Sequence, residues 1–204
     1  MLKIELFGDS ALLITTAQPA QLALTLRNAQ LFGVLDVVAG LETVTVVFNV
    51  AKTNARQVRR SIHRLQVTQQ TLPTPTIHRI PIRYDGIDLA EVAERCQLTV
   101  NQVIELHASA EYRVAMVGFL PGFPYLDGLP AALHLPRRAT PRAKVAAGSV
   151  AIANDQTGIY PQSSPGGWHI LGTTPLHLFD STASPPALLN AGDIVYFENM
   201  KDEG

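Results

Sequence analysis

The sequence predicts a two-part fold, with an α+β layer pair in the first half and a mainly-β barrel or sandwich in the second. Three observations carry that expectation. One proline, Pro19, stands before residue 72 and thirteen stand from Pro73 onward, a change of composition that marks a boundary. The first half alternates apolar runs of strand period with runs of helix period. Beyond Gly118, short β-like runs alternate with turn clusters, a spacing typical of closed or stacked antiparallel sheets rather than a parallel α/β sheet. The boundary falls in QQTLPTPTI, Gln69 to Ile77, so the expected parts are 1–72, a linker over 73–76, and 77–204.

Leu2 to Phe7 and Ala11 to Thr15 read as two strands around a Gly-Asp-Ser turn. Pro19 then sits where a first helical turn tolerates it, followed by Leu22, Leu26 and Ala29 at helical spacing. Val34 to Val38 and Thr43 to Phe48 form a second strand pair, with Val44, Val46 and Phe48 on one face. Asn54 and Gln57 cap a second helix whose stripe is Val58, Ile62 and Leu65. Its other face bears Arg56, Arg59, Arg60, His63 and Arg64, either a solvated surface or a docking face for an acidic partner.

The second half opens with the extended IHRIPIRYD. Asp88 with Glu91, and Thr99 with Gln102, read as capping pairs of two short helices, Leu89 to Cys96 and Val100 to about Glu111. GSVAIA, the stretch Gly158 to Tyr160, WHILG, PLHLF and DIVYFE are the expected strands. GFLPGFPYLDGLP, Gly118 to Pro130, is too rich in Gly and Pro for a helix or a central strand and too apolar for an idle loop. It reads as a rigid pocket rim or a partner-docking wall anchored by Phe119, Phe123 and Tyr125.

The 204 residues are 47% hydrophobic with a formal net charge of −1, so no bulk charge draws the chain to nucleic acid or an acidic membrane. The single cysteine, Cys96, excludes an internal disulfide and fits a reducing compartment. No charged-then-apolar leader opens MLKIELFGDS, and no apolar run reaches the length of a membrane span. A cytoplasmic location is the expectation.

The P-loop, the HExxH zinc pattern, paired CxxC and the GxSxG elbow are absent, and no lysine lies in a biotin-attachment context; no metal is expected. Chemistry must therefore come from polar groups in Gly- and Pro-rich surroundings. His107 points along an apolar helix stripe, so it is either a satisfied core histidine or an acid/base group with Glu111 as partner. LPRRATPRAK sets Arg137, Arg138, Arg142 and Lys144 on a proline-stiffened backbone, either a solvated basic loop or a clamp for carboxylate or phosphate. NDQTGIYPQSSPGGWHILG offers Gln156, Thr157 and Tyr160 as neutral hydrogen-bonding groups, with glycines that permit close ligand approach. Trp168, the single tryptophan, reads as a core or pocket wall.

Taken together, GFLPGFPYL, PRRATPR, AGSVAIA, QTGIYPQSSPGGWHILG and AGDIVYF resemble the family that contains the 5-oxoprolinase B component, the sporulation kinase inhibitor KipI and allophanate hydrolase subunit 1, the carboxyltransferase subdomain C and D type. The resemblance runs from about Ile77 to Phe197. It implies a ferredoxin-like N-terminal domain and a cyclophilin-like β-barrel C-terminal domain. It also implies partners, a C component of the allophanate hydrolase subunit 2 type and an A component of the lactam-utilisation type, which together with it hydrolyse 5-oxo-L-proline to L-glutamate at the expense of ATP. For such chemistry Arg137, Arg138 and Arg142 are the candidates to hold carboxylate or phosphate, and His107 or Tyr160 to position a proton. The alternative within the family is a regulator that binds a sensor histidine kinase and blocks its autophosphorylation.

Overall fold

Alternation of side chains along Ala11–Thr15 and Thr43–Phe48 puts Leu12, Ile14, Val44, Val46 and Phe48 on one sheet face, and helices must cover it. A computed structural model of the chain, describing residues 3–65 and 74–200, bears this out and divides into two compact units, Met1–Thr74 and Pro75–Gly204. Much of the stretch 69–77 lies outside the described residues.

The first unit runs β1 (Lys3–Phe7), β2 (Ala11–Thr15), α1 (Pro19–Asn28), β3 (Val34–Ala39), β4 (Thr43–Phe48) and α2 (Ala55–Arg64). The sheet order is β1-β2-β4-β3 and every neighbouring pair is antiparallel. β2 and β3 therefore run the same way, joined through α1 with β4 lying between them. Leu22 and Leu26 of α1 and Val58 and Ile62 of α2 close on the sheet residues to form one core. Pro19 occupies the first turn of α1, where its missing donor costs nothing. Asn54 accepts the Gln57 N–H at 3.0 Å to cap α2. The predicted stripes hold, although Ala29 and Leu65 fall one residue past their helices.

The second unit adds β5 (Ile77–Ile82), α3 (Leu89–Arg95), α4 (Val100–Ser109), β6 (Tyr112–Val117), β7 (Pro124–Asp127), β8 (Arg142–Val145), β9 (Ser149–Ala153), β10 (Gln156–Ile159), β11 (Ser164–Gly166), β12 (His169–Thr173) and β13 (Ile194–Asn199). Among the described residues, seven strands form one sheet in the order β12-β9-β10-β7-β6-β13-β5; β8 and β11 pair separately. Beyond the end of β5, Arg83 and Thr173 exchange both backbone hydrogen bonds, at 2.9 and 2.8 Å, so the two sheet edges meet in a nearly closed barrel. Pro81 is accommodated because β5 is an edge of that sheet.

Two expectations needed correction here. PLHLF forms no strand, only a single bridge from Phe179 to Ala187. Conversely, Pro124 to Asp127, inside the segment judged unfit for a central strand, is β7, paired with β6 on one side and β10 on the other. Pro124 is its first residue, where a missing donor is tolerated. Among the described residues no helix is long and apolar enough to cross a membrane.

β9 and β10, at the heart of this sheet, are buried on both faces. Val150 and Ile152 of β9 join a large core with Val92 of α3 and Val103 of α4, whereas Ala151 and Ala153 join a smaller cluster with Phe123, Val145, Tyr160, Trp168 and Ile170. Leu126 and Tyr125 of β7 separate in the same way. This two-sided burial divides the candidate site residues.

Candidate functional site

On the face opposite the larger core, β7, β10 and the strand pair β8–β11 frame a pocket of about 190 Å³. Phe119, Phe123, Tyr125, Tyr160 and Trp168 supply its walls, and Arg137 and Pro141 enter from the loop before β8. Phe123 stands nearly perpendicular to both Tyr160 and Trp168, with ring centroids at 5.2 and 5.6 Å. Tyr125 lies 5.0 Å from Phe123 and 5.7 Å from Trp168. Such edge-to-face packing fixes ring positions better than aliphatic contact would. Two glycines make room: a Cβ at Gly166 would collide with the Tyr160 hydroxyl, and one at Gly158 would stand 3.0 Å from both Phe123 and Trp168. All four residues expected as pocket wall thus meet, together with Tyr160 and Arg137.

Burial raises the Tyr160 pKa, an effect that the Trp168 backbone N–H and the Arg137 charge partly offset; Tyr125 is raised by burial and moderated by Arg137. Both phenols are therefore protonated at neutral pH and serve as neutral donors. Arg137 is exposed at the pocket mouth and makes no ion pair with a carboxylate among the described residues.

The other two arginines do something else. The buried Asp88 carboxylate accepts from Arg138 Nη1 at 3.0 Å, from Arg142 Nη2 at 2.5 Å and from the Ile170 backbone N–H at 2.8 Å. Glu91 also accepts from Arg138, at 2.7 Å, and that bond holds the Glu91 carboxyl below the usual carboxylate range. The Asp88–Glu91 pair is accordingly not the cap that its spacing predicts, since the Asp88 side chain makes no capping bond. Its two carboxylates instead serve as counter-ions that anchor the loop bearing Arg137. His169 Nε2 adds a bond to the Pro136 carbonyl at 3.0 Å. Sequence reasoning missed Asp88 and Glu91 because their spacing satisfied a local rule; the surplus of arginines without nearby acids was the signal that could have found them.

His107 falls on the other face, wholly buried. Thr157 Oγ1 donates to the Ala151 carbonyl at 3.1 Å, so it must accept from His107 Nε2–H at 3.0 Å, and Nδ1 in turn accepts from the Tyr84 hydroxyl at 2.8 Å. Burial lowers the His107 pKa to about 3, so the imidazole is neutral. This is the satisfied core histidine of the two sequence readings. Its expected partner Glu111 instead accepts from the Tyr196 hydroxyl. Thr157 belongs to this interior network, and Gln156 donates to Asp127 at 2.7 Å, so neither reaches the pocket. Period-two alternation explains the split: Thr157 faces α4, its neighbour Gly158 the pocket.

Elsewhere, a groove of about 290 Å³ in the first unit contains Arg27, but its guanidinium already donates to the Val37 carbonyl at 2.9 and 2.6 Å. Cys96 is half-buried, and burial pushes its thiol up, which suits a structural residue. No cluster of three or more His, Cys, Asp or Glu that could hold a metal occurs among the described residues.

Comparison with known proteins adds four findings to this geometry. Residues 2–189 match the family described as carboxyltransferase domain, subdomain C and D. The B subunit of 5-oxoprolinase from Escherichia coli O157:H7 is 40% identical over 208 residues, covering 97% of this chain and 95% of that protein. The corresponding B subunit from Haemophilus influenzae is 54% identical over 121 residues, 58% of this chain and 57% of its own length. The crystal structure of TTHA0988 superposes with a TM-score of 0.85 at 34% identity and matches 98% of this chain, which spans only 41% of that solved chain.

Proposed function

The chain belongs to the carboxyltransferase-domain family of subdomain C and D, and from that premise we propose that it is the B component of a 5-oxoprolinase, acting with the A and C components to convert 5-oxo-L-proline to L-glutamate in an ATP-dependent reaction. The observation that carries this reading is the 40% identity to the B subunit of a 5-oxoprolinase along nearly the full length of both chains. No observation favours the kinase-inhibitor alternative. We further infer that the first unit is ferredoxin-like, with β1 occupying the place of that fold's last strand beside β2, and that the barrel is cyclophilin-like. Support for the former is the split β2-α1-β3 unit with β4 between its strands.

An unstrained lactam resists water because resonance stabilises the amide and its nitrogen is a poor leaving group. Hydrolysis needs the ring held, its carbonyl polarised and bulk water excluded. This chain offers a walled aromatic pocket with protonated phenols and, at its mouth, a guanidinium with no carboxylate partner among the described residues. It offers little for a nucleotide: Arg138 and Arg142, two of the three arginines suited to phosphate, are held by Asp88, and the pocket is below the roughly 300–1,000 Å³ usual for drug-sized ligands. We place the ATP site on the partner components and regard the chain alone as inactive.

Reconstitution tests the reading. The purified chain is expected to release no glutamate from 5-oxo-L-proline, and the mixture with the A and C components to release it only when ATP is present. Absence of turnover from the complete mixture would reject the assignment.

A further inference from the structure

We propose that the aromatic pocket of this chain is the binding site for a small ring amide that bears a carboxylate, with Arg137 pairing the carboxylate and the Tyr160 hydroxyl donating to the amide carbonyl. The inference rests on the 5-oxoprolinase reading for the identity of the ligand, but its argument is local to the pocket.

Three features define the occupant. At about 190 Å³ and walled by rings, the cavity suits one flat, largely apolar ring and not a nucleotide. The loop's charges are sorted: Arg138 and Arg142 are bound to Asp88, leaving Arg137 at the mouth as the cation with no carboxylate partner among the described residues. A guanidinium so placed matches a carboxylate in two-point fashion. On the inner side Tyr160 is buried, and its hydroxyl, protonated at neutral pH, has a proton to give. The absence of a Cβ at Gly166 keeps that hydroxyl in place. A ligand spanning the two must therefore be anionic at one end and an acceptor at the other, with a ring between.

Phe119 points the same way. It holds a left-handed backbone, φ 69°, which non-glycine residues with bulky side chains rarely adopt, and the residue remains 61% exposed at the pocket mouth. Burial does not account for this conformation; covering a bound ring does.

Trp168 is the chain's single tryptophan and lines the pocket, so its emission reports occupancy directly. The full chain is titrated with 5-oxo-L-proline, with 2-pyrrolidinone, which keeps the ring amide but lacks the carboxylate, and with acetate, which lacks the ring. A saturable Trp168 response to 5-oxo-L-proline is expected, with 2-pyrrolidinone at least tenfold weaker and acetate silent. Arg137→Ala, an exposed position where folding is not at stake, should weaken 5-oxo-L-proline at least tenfold and leave 2-pyrrolidinone unchanged; Arg137→Lys should fall between. In the complex assembled with the A and C components, Arg137→Ala should raise KM by a similar factor. No saturable response to 5-oxo-L-proline, or an unchanged KM in Arg137→Ala, overturns the proposal. The two readings fail separately: turnover by the complex with KM indifferent to Arg137 removes the pocket and leaves the 5-oxoprolinase reading. A Trp168 response without turnover by the complete mixture does the reverse.

Discussion

His107 is held neutral by its surroundings, and that gives it a measurable signature. Its pKa is lowered from 6.5 to about 3 by burial, so the unfolded chain binds a proton that the folded chain refuses. The stabilisation is fully present above pH 6.5 and is lost as pH falls toward 3, with a slope of up to about 1.4 kcal/mol per pH unit. Urea denaturation between pH 7 and 4 should show this loss, and a His107→Met variant should show a shallower one. Phe119 makes the opposite kind of prediction. Its left-handed conformation costs of the order of 1–3 kcal/mol, which glycine would not incur. Phe119→Gly should therefore melt no lower than the parent chain while binding 5-oxo-L-proline more weakly. A drop in melting temperature with unchanged binding would show that the ring serves the fold.

At the scale of elements, the loop between β7 and β8 depends on α3. Asp88, itself 2% exposed, ties Arg138 of the loop and Arg142 at the start of β8 to the Ile170 amide of β12, and so fixes both the Arg137 wall and the Trp168 wall of the pocket. Removing one partner of a buried ion pair costs about 3–5 kcal/mol, and the lower end applies because both arginines keep some solvent contact. Asp88→Ala should show that loss in chemical denaturation. Arg142→Ala should likewise lower stability far more than it alters the ligand specificity of the pocket, contrary to the anion-clamp role that its sequence context invites. Within the pocket, Gly166→Ala would put a methyl group against the Tyr160 hydroxyl and is expected to abolish the Trp168 response.

At the scale of the whole molecule, the hydrophobic clusters of the two units share no residue among the described residues. Ile14→Ala should remove about 2–5 kcal/mol from the first unit, and the Trp168-monitored transition of the second should move far less. Much of this architecture was legible from periodicity. The strand faces of Thr43–Phe48, the Pro19 and Asn54 helix starts and the Thr99–Gln102 capping box are local features, set by residues a few positions apart, and the sequence states them directly. Four of the five aromatic residues that wall the pocket were legible as well, because large rings amid glycines and prolines have few other uses. By itself, then, the sequence determined most of the local elements, the boundary in composition and four of the aromatic residues that line the pocket. Only the tertiary structure decided which polar groups work together. It sent Thr157 and His107 to one face of the barrel sheet and Gly158 and Tyr160 to the other, and it gave Arg138 and Arg142, but not Arg137, to a carboxylate some fifty positions earlier in the chain. Charges and hydrogen bonds pair through space at no fixed sequence separation, so no local rule could have assigned them.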